Sequence, residues 1–363
     1  MKFLFFTKTN WDEPPRLRHQ LAYLLSNAGH KVTFFECPAY AWVKKECAFD
    51  TGRESIQCVR ASQLIHHKLR LNPVVHKLNA IWEKKEISRV LKPVVYDPET
   101  VIVNFNYDYY FVRDLFPDSK IVTVINDDFW CRAIGGWETP LRWALEKTCL
   151  SSDEVLTVSP SLQRQLSQYC SCNLFYPWAD VQYTQSDPGA EKNTLLFWGY
   201  ISDKLDYSYV SKLATHLKAS ESNYELLFVG PVMSDSAVKE ALNSLIDQKL
   251  IQWRPATSLD ELPLESVLAA FIPCLKDNPD SDAIYIPNKG FRVLARGLPI
   301  TITGMPDFIE KPFVFRFSGE PSQDILLLDS IKSEFVGLQE GIRSFVDANN
   351  SSHRLNQFLS YCS

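Results

Sequence analysis

Residues 2–36 read KFLFFTKTNWDEPPRLRHQLAYLLSNAGHKVTFFE. Residues 2–6 are a short apolar run and read as a strand. Residues 7–15 are polar and carry two prolines, the composition of a loop. Leu17, Leu21, Leu24 and Leu25 share one face of a helix over 16–28. Gly29 ends that helix, and 31–36 is the next strand. Strand, crossover helix and strand make a βαβ unit. That implies a parallel sheet with its ligand crevice at the C-terminal ends of the strands. The loop holds no GxGxxG, so the dinucleotide fingerprint is absent from it. Its polar groups, Asn10, Arg16 and His19, either reach over the crevice or are ordinary loop and first-turn residues.

The rest of the chain repeats this alternation. Residues 100–105 (TVIVNF) and 120–125 (KIVTVI) are further strands, and the second runs into Asn126-Asp127-Asp128-Phe129-Trp130. Two carboxylates just past a strand's C-terminal end lie where α/β proteins place chemistry, so one can serve as a general base. An Asx-type turn or a helix cap explains the same residues structurally. Residues 137–149 read as a helix, 154–158 as a strand, 161–168 as a helix and 173–176 as a short strand. Residues 180–193 turn polar and read as a linker. A second βαβ series follows: strand 194–198, helix 207–218, strand 224–229, helix 237–246, strand 250–253, a helical turn region over 260–269, and strand 270–273. Residues 330–346 and 351–361 read as closing helices.

Residues 286–300, IPNKGFRVLARGLPI, hold the strongest local signal of the second half. A helix over 289–296 has Phe291, Leu294 and Ala295 on its apolar face, Gly297 at its end and Pro299 blocking continuation. Lys289, Arg292 and Arg296 form a stripe on the other face. The first two fall in the opening turn, where backbone N–H groups already make a positive pole that favours a bound anion. The stripe is either a phosphate site or a solvated basic face.

Length and composition bound the class. The chain has 363 residues, 45% hydrophobic and 13% aromatic, enough for a sizeable core and for two domains. A net charge of −5 argues against nucleic acid as the main partner. No apolar run has the length of a membrane span, and the start lacks the long apolar region and cleavage site of a signal peptide. Nine cysteines without a CxxC pair point to reduced, mostly buried thiols in the cytoplasm. Residues 66–92, HHKLRLNPVVHKLNAIWEKKEISRVLK, are basic in an acidic protein. They read as contact with an anionic lipid surface or as a solvated helix pair interrupted at Pro73. Asp280-Ser281-Asp282 matches the metal-holding DxD of some sugar transferases, a weak match that leaves the expectation at no metal.

The ordered set of stretches resembles GT-B glycosyltransferases, specifically the bacterial polysaccharide group near glycosyltransferase families 4 and 1. Those enzymes carry P-x-K-x-x-E-x-x-A-x-G-x-P-V, matched here by Pro287, Lys289, Ala295, Gly297, Pro299 and Ile300, with Arg292 at the acidic position. RLRHQLAYLLSNAGHKVTFFE is similar to the family's opening helix and strand. SSDEVLTVSPSLQRQL is similar to the segment before the interdomain crossover. LLFWGYISDKLDYSYVSKLA and LLFVGP are similar to the start of the donor domain, and FVDANNSSHRLNQFL to the closing helix.

The resemblance implies an α/β chain of two facing Rossmann-like domains with a nucleotide-sugar donor in the cleft. Residues 1–180 would bind the acceptor and 181–340 the donor, with 341–363 a closing segment packing back on the first domain. Lys289, Asn288 and the helix N-terminus would take the diphosphate, and Gly199 and Tyr200 would lie beside the phosphates. Gly230 and Arg254 would border base and ribose, and no cofactor or metal would be needed. The acceptor, a glycan or lipid-linked glycan, would contact Asn10, Arg16 and His19. Asp127 would be the base and Asp128 its structural neighbour. The family's Glu accepts ribose hydroxyls, which Arg292 cannot do; it would add a cation to the diphosphate or bind a sugar carboxylate. The implied function is transfer of a sugar to a cell-surface polysaccharide or lipid-linked acceptor, in the cytoplasm or peripherally on the inner face of the membrane. A GT-B epimerase and an inactive nucleotide-sugar-binding subunit are the alternatives.

Overall fold

The computed structural model describes residues 1–13, 16–43, 48–50, 54–65, 73–91, 99–128, 138–185, 189–282 and 284–363. They form two compact units, Met1–Tyr176 with Arg354–Ser363, and Pro177–His353. The sequence reading changes domain at 180/181 and begins its closing segment at 341; the compact units change over at 176/177 and 353/354. No helix among the described residues is long and apolar enough to cross a membrane.

In the first unit the strands are β1 (Lys2–Phe6), β2 (Lys31–Phe35), β3 (Ala39–Tyr40), β4 (Ala48–Asp50), β5 (Ile56–Val59), β6 (Ser62–Gln63), β7 (Thr100–Asn104), β8 (Ile121–Ile125), β9 (Glu154–Thr157) and β10 (Asn173–Leu174). The helices are α1 (Leu17–Asn27), α2 (Pro73–Leu91), α3 (Val112–Leu115), α4 (Glu138–Leu150) and α5 (Pro160–Leu166). The sheet runs β10-β9-β8-β7-β1-β2-β5-β4, and β3 pairs with β6 beside it. All its pairings are parallel except β4 with β5. Every residue of β7 and β8 is buried, as a parallel sheet covered on both faces requires. Phe5 packs on Phe34 of β2 and on Phe105, just past β7, at 6.1 and 6.0 Å. Each such ring contributes about 1.5–3 kcal/mol by burial. Near the chain's end Phe358 packs on Phe3 and Phe175 of the same unit.

The second unit has β11 (Thr194–Trp198), β12 (Glu225–Val229), β13 (Gln252–Arg254), β14 (Val267–Pro273), β15 (Ile300–Thr303) and β16 (Val314–Arg316). Its helices are α6 (Tyr207–Ala219), α7 (Ser236–Asp247), α8 (Pro279–Asp282), α9 (Asn288–Ala295) and α10 (Pro321–Ala348); α11 (Ser351–Tyr361) carries the chain into the residues of the first unit. The sheet order is β13-β12-β11-β14-β15-β16, parallel throughout. One expectation fails here. Residues 267–269 are not a helical turn but the start of β14, buried at all seven positions. A continuous apolar run has no period of its own, and pairing with β11 decides it.

In both sheets the parallel crossovers change direction at one point. The reversal lies between β1 and β7 in the first unit and between β11 and β14 in the second. In open α/β sheets the ligand crevice lies outside the strand ends at that point.

Candidate functional site

The switch point of the second sheet is built mainly from backbone. Gly199 follows β11 with φ 146°, and Gly230 follows β12 with φ 151°. A Cβ on Gly230 would stand 1.8 Å from the Gly199 carbonyl oxygen, so the two turns interlock only as glycines. The Gly199 N–H donates to the Val229 carbonyl at 2.9 Å, and the Gly230 N–H to that of Arg254 at 3.1 Å. Lys289 lies against this turn: a Cβ on Gly199 would be 3.4 Å from Lys289 Cδ and 3.6 Å from Nζ.

Lys289 projects from the first turn of α9, which starts after Pro287 in extended conformation and has no acidic residue in that turn. Gly297, at φ 70°, follows the helix as expected. The Lys289 ammonium stands 4.7 Å from the centre of the Phe197 ring, and no hydrogen bond or ion pair engages it among the described residues. Part of the side chain keeps accessible surface although the ammonium lies deep among protein atoms. Burial lowers its pKa from the ordinary lysine value; the Cys274 thiol opposes this and Lys204 adds to it. A desolvated cation at a positive helix pole, beside two glycine turns, has the donors and the charge for a diphosphate. The Asn288 Oδ1 on the same turn is buried without a hydrogen-bond partner among the described residues.

Arg292 departs from its expected place. It lies in the last turn of this eight-residue helix rather than the opening one. Its Nε and Nη2 hold both oxygens of Asp180 at 3.0 and 2.7 Å. Arg296 Nη1 donates to Thr184 Oγ1 at 3.0 Å, Arg296 also pairs with Asp260, and the Thr184 N–H donates to the Ala295 carbonyl at 2.7 Å. The basic stripe is therefore divided. Lys289 faces the glycine turns, while Arg292 and Arg296 tether segment 180–184 to α9. Of the other expected donor contacts, Tyr200 is exposed and Arg254 ends β13 with its side chain in solvent. Asp282 of the DxD triplet lies in α8, and burial, then Asp277 and Asp307, raises its pKa. Among the described residues no three His, Cys, Asp or Glu side chains are grouped to hold a metal ion.

The switch point of the first sheet is built from side chains. His19 is buried; its Nδ1 accepts the Arg16 N–H at 3.1 Å, and its Nε2 meets the Asn10 carbonyl at 3.1 Å. That pattern fixes the Nε2–H tautomer, and burial lowers the His19 pKa below its ordinary value. Asn10 gives both its backbone N–H and its Nδ2 to Glu13 Oε1 at 3.2 Å, and Arg16 pairs with Glu13 at 3.1 Å. Asn10, Arg16 and His19 are thus joined in one network that shapes the loop after β1, a structural duty the sequence left open. Asp127 lies past β8, exposed, and accepts the Asp128 N–H at 3.0 Å. That bond runs to the next residue rather than two residues on as in an Asx turn, and it leaves the Asp127 carboxylate accessible. Residues 129 and 130 of the same turn fall outside the described residues.

Three polar residues at this switch point were missed from sequence. Lys8, just past β1, forms a buried ion pair with Asp108, past β7, and lies 5.3 and 5.2 Å from the Tyr107 and Tyr109 ring centres. Arg18, in the first turn of α1, is buried with its guanidinium 5.7 Å from the Phe105 ring centre. A signal for Arg18 existed: it stands at i to Leu21, Ala22 and Leu25 at i+3, i+4 and i+7, so helical phase turns it inward.

No family model and no curated protein matches the sequence. Solved structures match over nearly the whole chain. Sucrose-phosphate synthase from Thermosynechococcus elongatus superposes with a TM-score of 0.71 at 12% identity, covering 99% of this chain and 98% of that one. Anabaena HepE in complex with UDP gives 0.69 at 11% identity, covering 99% of each. An α,α-trehalose 6-phosphate synthase from Burkholderia multivorans gives 0.68 at 9% identity, covering 100% and 98%. Identities this low speak to fold, and the fold is GT-B, two Rossmann-like units in one chain.

Proposed function

We propose that the protein is a glycosyltransferase that moves a sugar from a nucleoside-diphosphate sugar to a hydroxyl of a cell-surface polysaccharide or lipid-linked acceptor, without a metal. The observation that carries this reading is the desolvated Lys289 ammonium at the α9 N-terminus, packed against Gly199. The likeness to HepE, solved with UDP, supports a nucleotide as the ligand of such a turn. In an inverting course the acceptor oxygen attacks the anomeric carbon and its proton goes to Asp127. The bond from that carbon to the diphosphate breaks, and the electron pair leaves on a phosphate oxygen. Lys289 and the first N–H groups of α9 neutralise the charge that develops.

A peripheral place on an anionic membrane face of the cytoplasm fits helix α2. Val74, Leu78 and Ile81, at i, i+4 and i+7, are 65%, 57% and 64% exposed, with Lys77 and Lys85 exposed beside them. Residues 66–72 and 92 of the basic stretch lie outside the described residues.

A panel of UDP, GDP, CMP, ADP and dTDP in a thermal-shift assay, followed by product analysis with the sugar of the best nucleotide, tests the proposal. A rise in melting temperature with one nucleotide and transfer to an acceptor are expected. Donor interconversion without an acceptor would make the protein an epimerase. Binding with neither reaction would make it a nucleotide-sugar-binding subunit, and stabilisation by no nucleotide would remove the donor site itself.

A further inference from the structure

Arg18 is 9% exposed, and its Nε is fully buried with no hydrogen-bond partner. No ion pair or hydrogen bond holds its guanidinium among the described residues; its one close contact of note is the face of Phe105. A guanidinium desolvated at Nε and left without a carboxylate is costly, because nothing offsets that desolvation. Burial pushes its pKa down to about 10, with Arg16 lowering it further and Glu13 and Asp127 acting the other way.

The surroundings add to the imbalance. Arg18 stands in the first turn of α1, an eleven-residue helix with no acidic residue in that turn, and Arg16 occupies the N-cap. Glu13, the nearby carboxylate of the loop, is taken up by Arg16 and Asn10. Asp108 past β7 is taken up by Lys8. At the end of β7, Asn106 Nδ2 is a second buried donor without a partner among the described residues. Arg18 and Asn106 thus bring unpaired donors to the strand ends at the β1/β7 switch point, where open α/β sheets take their ligand.

We infer that the mouth of the first sheet binds an oxyanion of the acceptor, a phosphate or a carboxylate, and that Arg18 is the residue that grips it. The inference rests on the glycosyl-transfer reading for the word acceptor; the anion site itself does not. A planar fork over an aromatic ring suits such a group, and the bound anion would supply the countercharge that the fold withholds.

The test uses the full chain with Lys289→Ala in the background, so that the donor site is silenced, and follows inorganic phosphate binding by 31P line broadening. Arg18→Gln should weaken phosphate at least about tenfold, as expected for loss of a charge-assisted hydrogen bond. Arg18→Lys, which keeps charge but not the fork, should weaken it by a smaller factor and covers the case in which Arg18→Gln does not fold. Phosphate affinity unchanged in the folded variants would overturn the inference and leave Arg18 as packing on Phe105. Competition by glucose 6-phosphate, by glucuronate, or by vesicles carrying farnesyl phosphate tells a soluble phosphate from a carboxylate and from a lipid phosphate. Competition by none of the three would overturn the assignment to an acceptor. Failure of the wild-type chain to bind any nucleoside diphosphate breaks the proposed function and leaves the phosphate result standing.

Discussion

The two sheet mouths solve the same problem in different materials. The second uses backbone: two positive-φ glycines interlocked at 1.8 Å from a virtual Cβ, and the first turn of an eight-residue helix. The first uses side chains: the Asn10–Glu13–Arg16–His19 network, the Lys8–Asp108 pair and buried Arg18. The proposed donor is a nucleoside-diphosphate sugar, whose diphosphate stays the same whichever base and sugar flank it, so backbone N–H groups and one lysine would suffice for it. An acceptor varies, and side chains can change one at a time without moving strands. The comparison predicts that damage at the second mouth appears in nucleotide affinity and damage at the first in turnover.

The largest effect tests that division. Asp127→Asn should lower turnover by about 10²–10⁴ with nucleotide affinity little changed, measured by initial rates and calorimetry on one preparation. Near-wild-type rates would remove Asp127 from the chemistry. Gly230→Ala comes next. Its methyl would meet the Gly199 carbonyl, and φ 151° is unfavourable for alanine, so strain of about 1–3 kcal/mol and at least a tenfold loss of nucleotide affinity are expected. A variant with wild-type melting temperature and affinity would show that the turns do not need to interlock.

Arg292→Glu sharpens the comparison inside the second mouth. It replaces a two-pronged pair with two facing carboxylates; because both partners are partly exposed, we expect a loss of about 1 kcal/mol, or about 2–4 °C in melting temperature. Nucleotide affinity should fall far less than in a Lys289 variant, and adding Asp180→Arg should restore stability. An affinity loss as large as that of Lys289→Ala would return Arg292 to the phosphate site. The smallest effect concerns α2: Leu78→Ser with Ile81→Ser should lower binding to anionic vesicles several-fold and leave turnover on soluble acceptors intact. Equal binding by wild type to neutral vesicles would end the membrane reading.

Much of this was legible because local rules fixed it. Pro287 and Gly297 bracket α9, and the leucine spacing with Gly29 brackets α1, so both helices were placed from sequence. Lys289 was legible for the same reason, since its position in the first turn is a local fact. The partner of Arg292 was not, because Asp180 lies 112 residues away and only the fold brings it near. Placing Arg292 in the opening turn follows from starting the helix at 289; it starts at Asn288, which makes Arg292 its fifth residue of eight. At the first mouth three cationic or polar residues fall within four positions, Arg16, Arg18 and His19, and the choice among them depends on which is turned inward. The apolar stripe through Leu21, Ala22 and Leu25 answers that for Arg18, whereas His19 is held by the loop it closes.

The central claim is that Lys289 and the α9 N-terminus hold the donor's diphosphate. Calorimetric titration of wild type and Lys289→Ala with the nucleoside diphosphate that most raises the wild-type melting temperature, and with the matching nucleoside, tests it directly. The account predicts a loss of about 1.5–3 kcal/mol for the diphosphate, roughly ten- to a hundredfold in affinity, and no change for the nucleoside. Equal diphosphate affinity in the two proteins would contradict it.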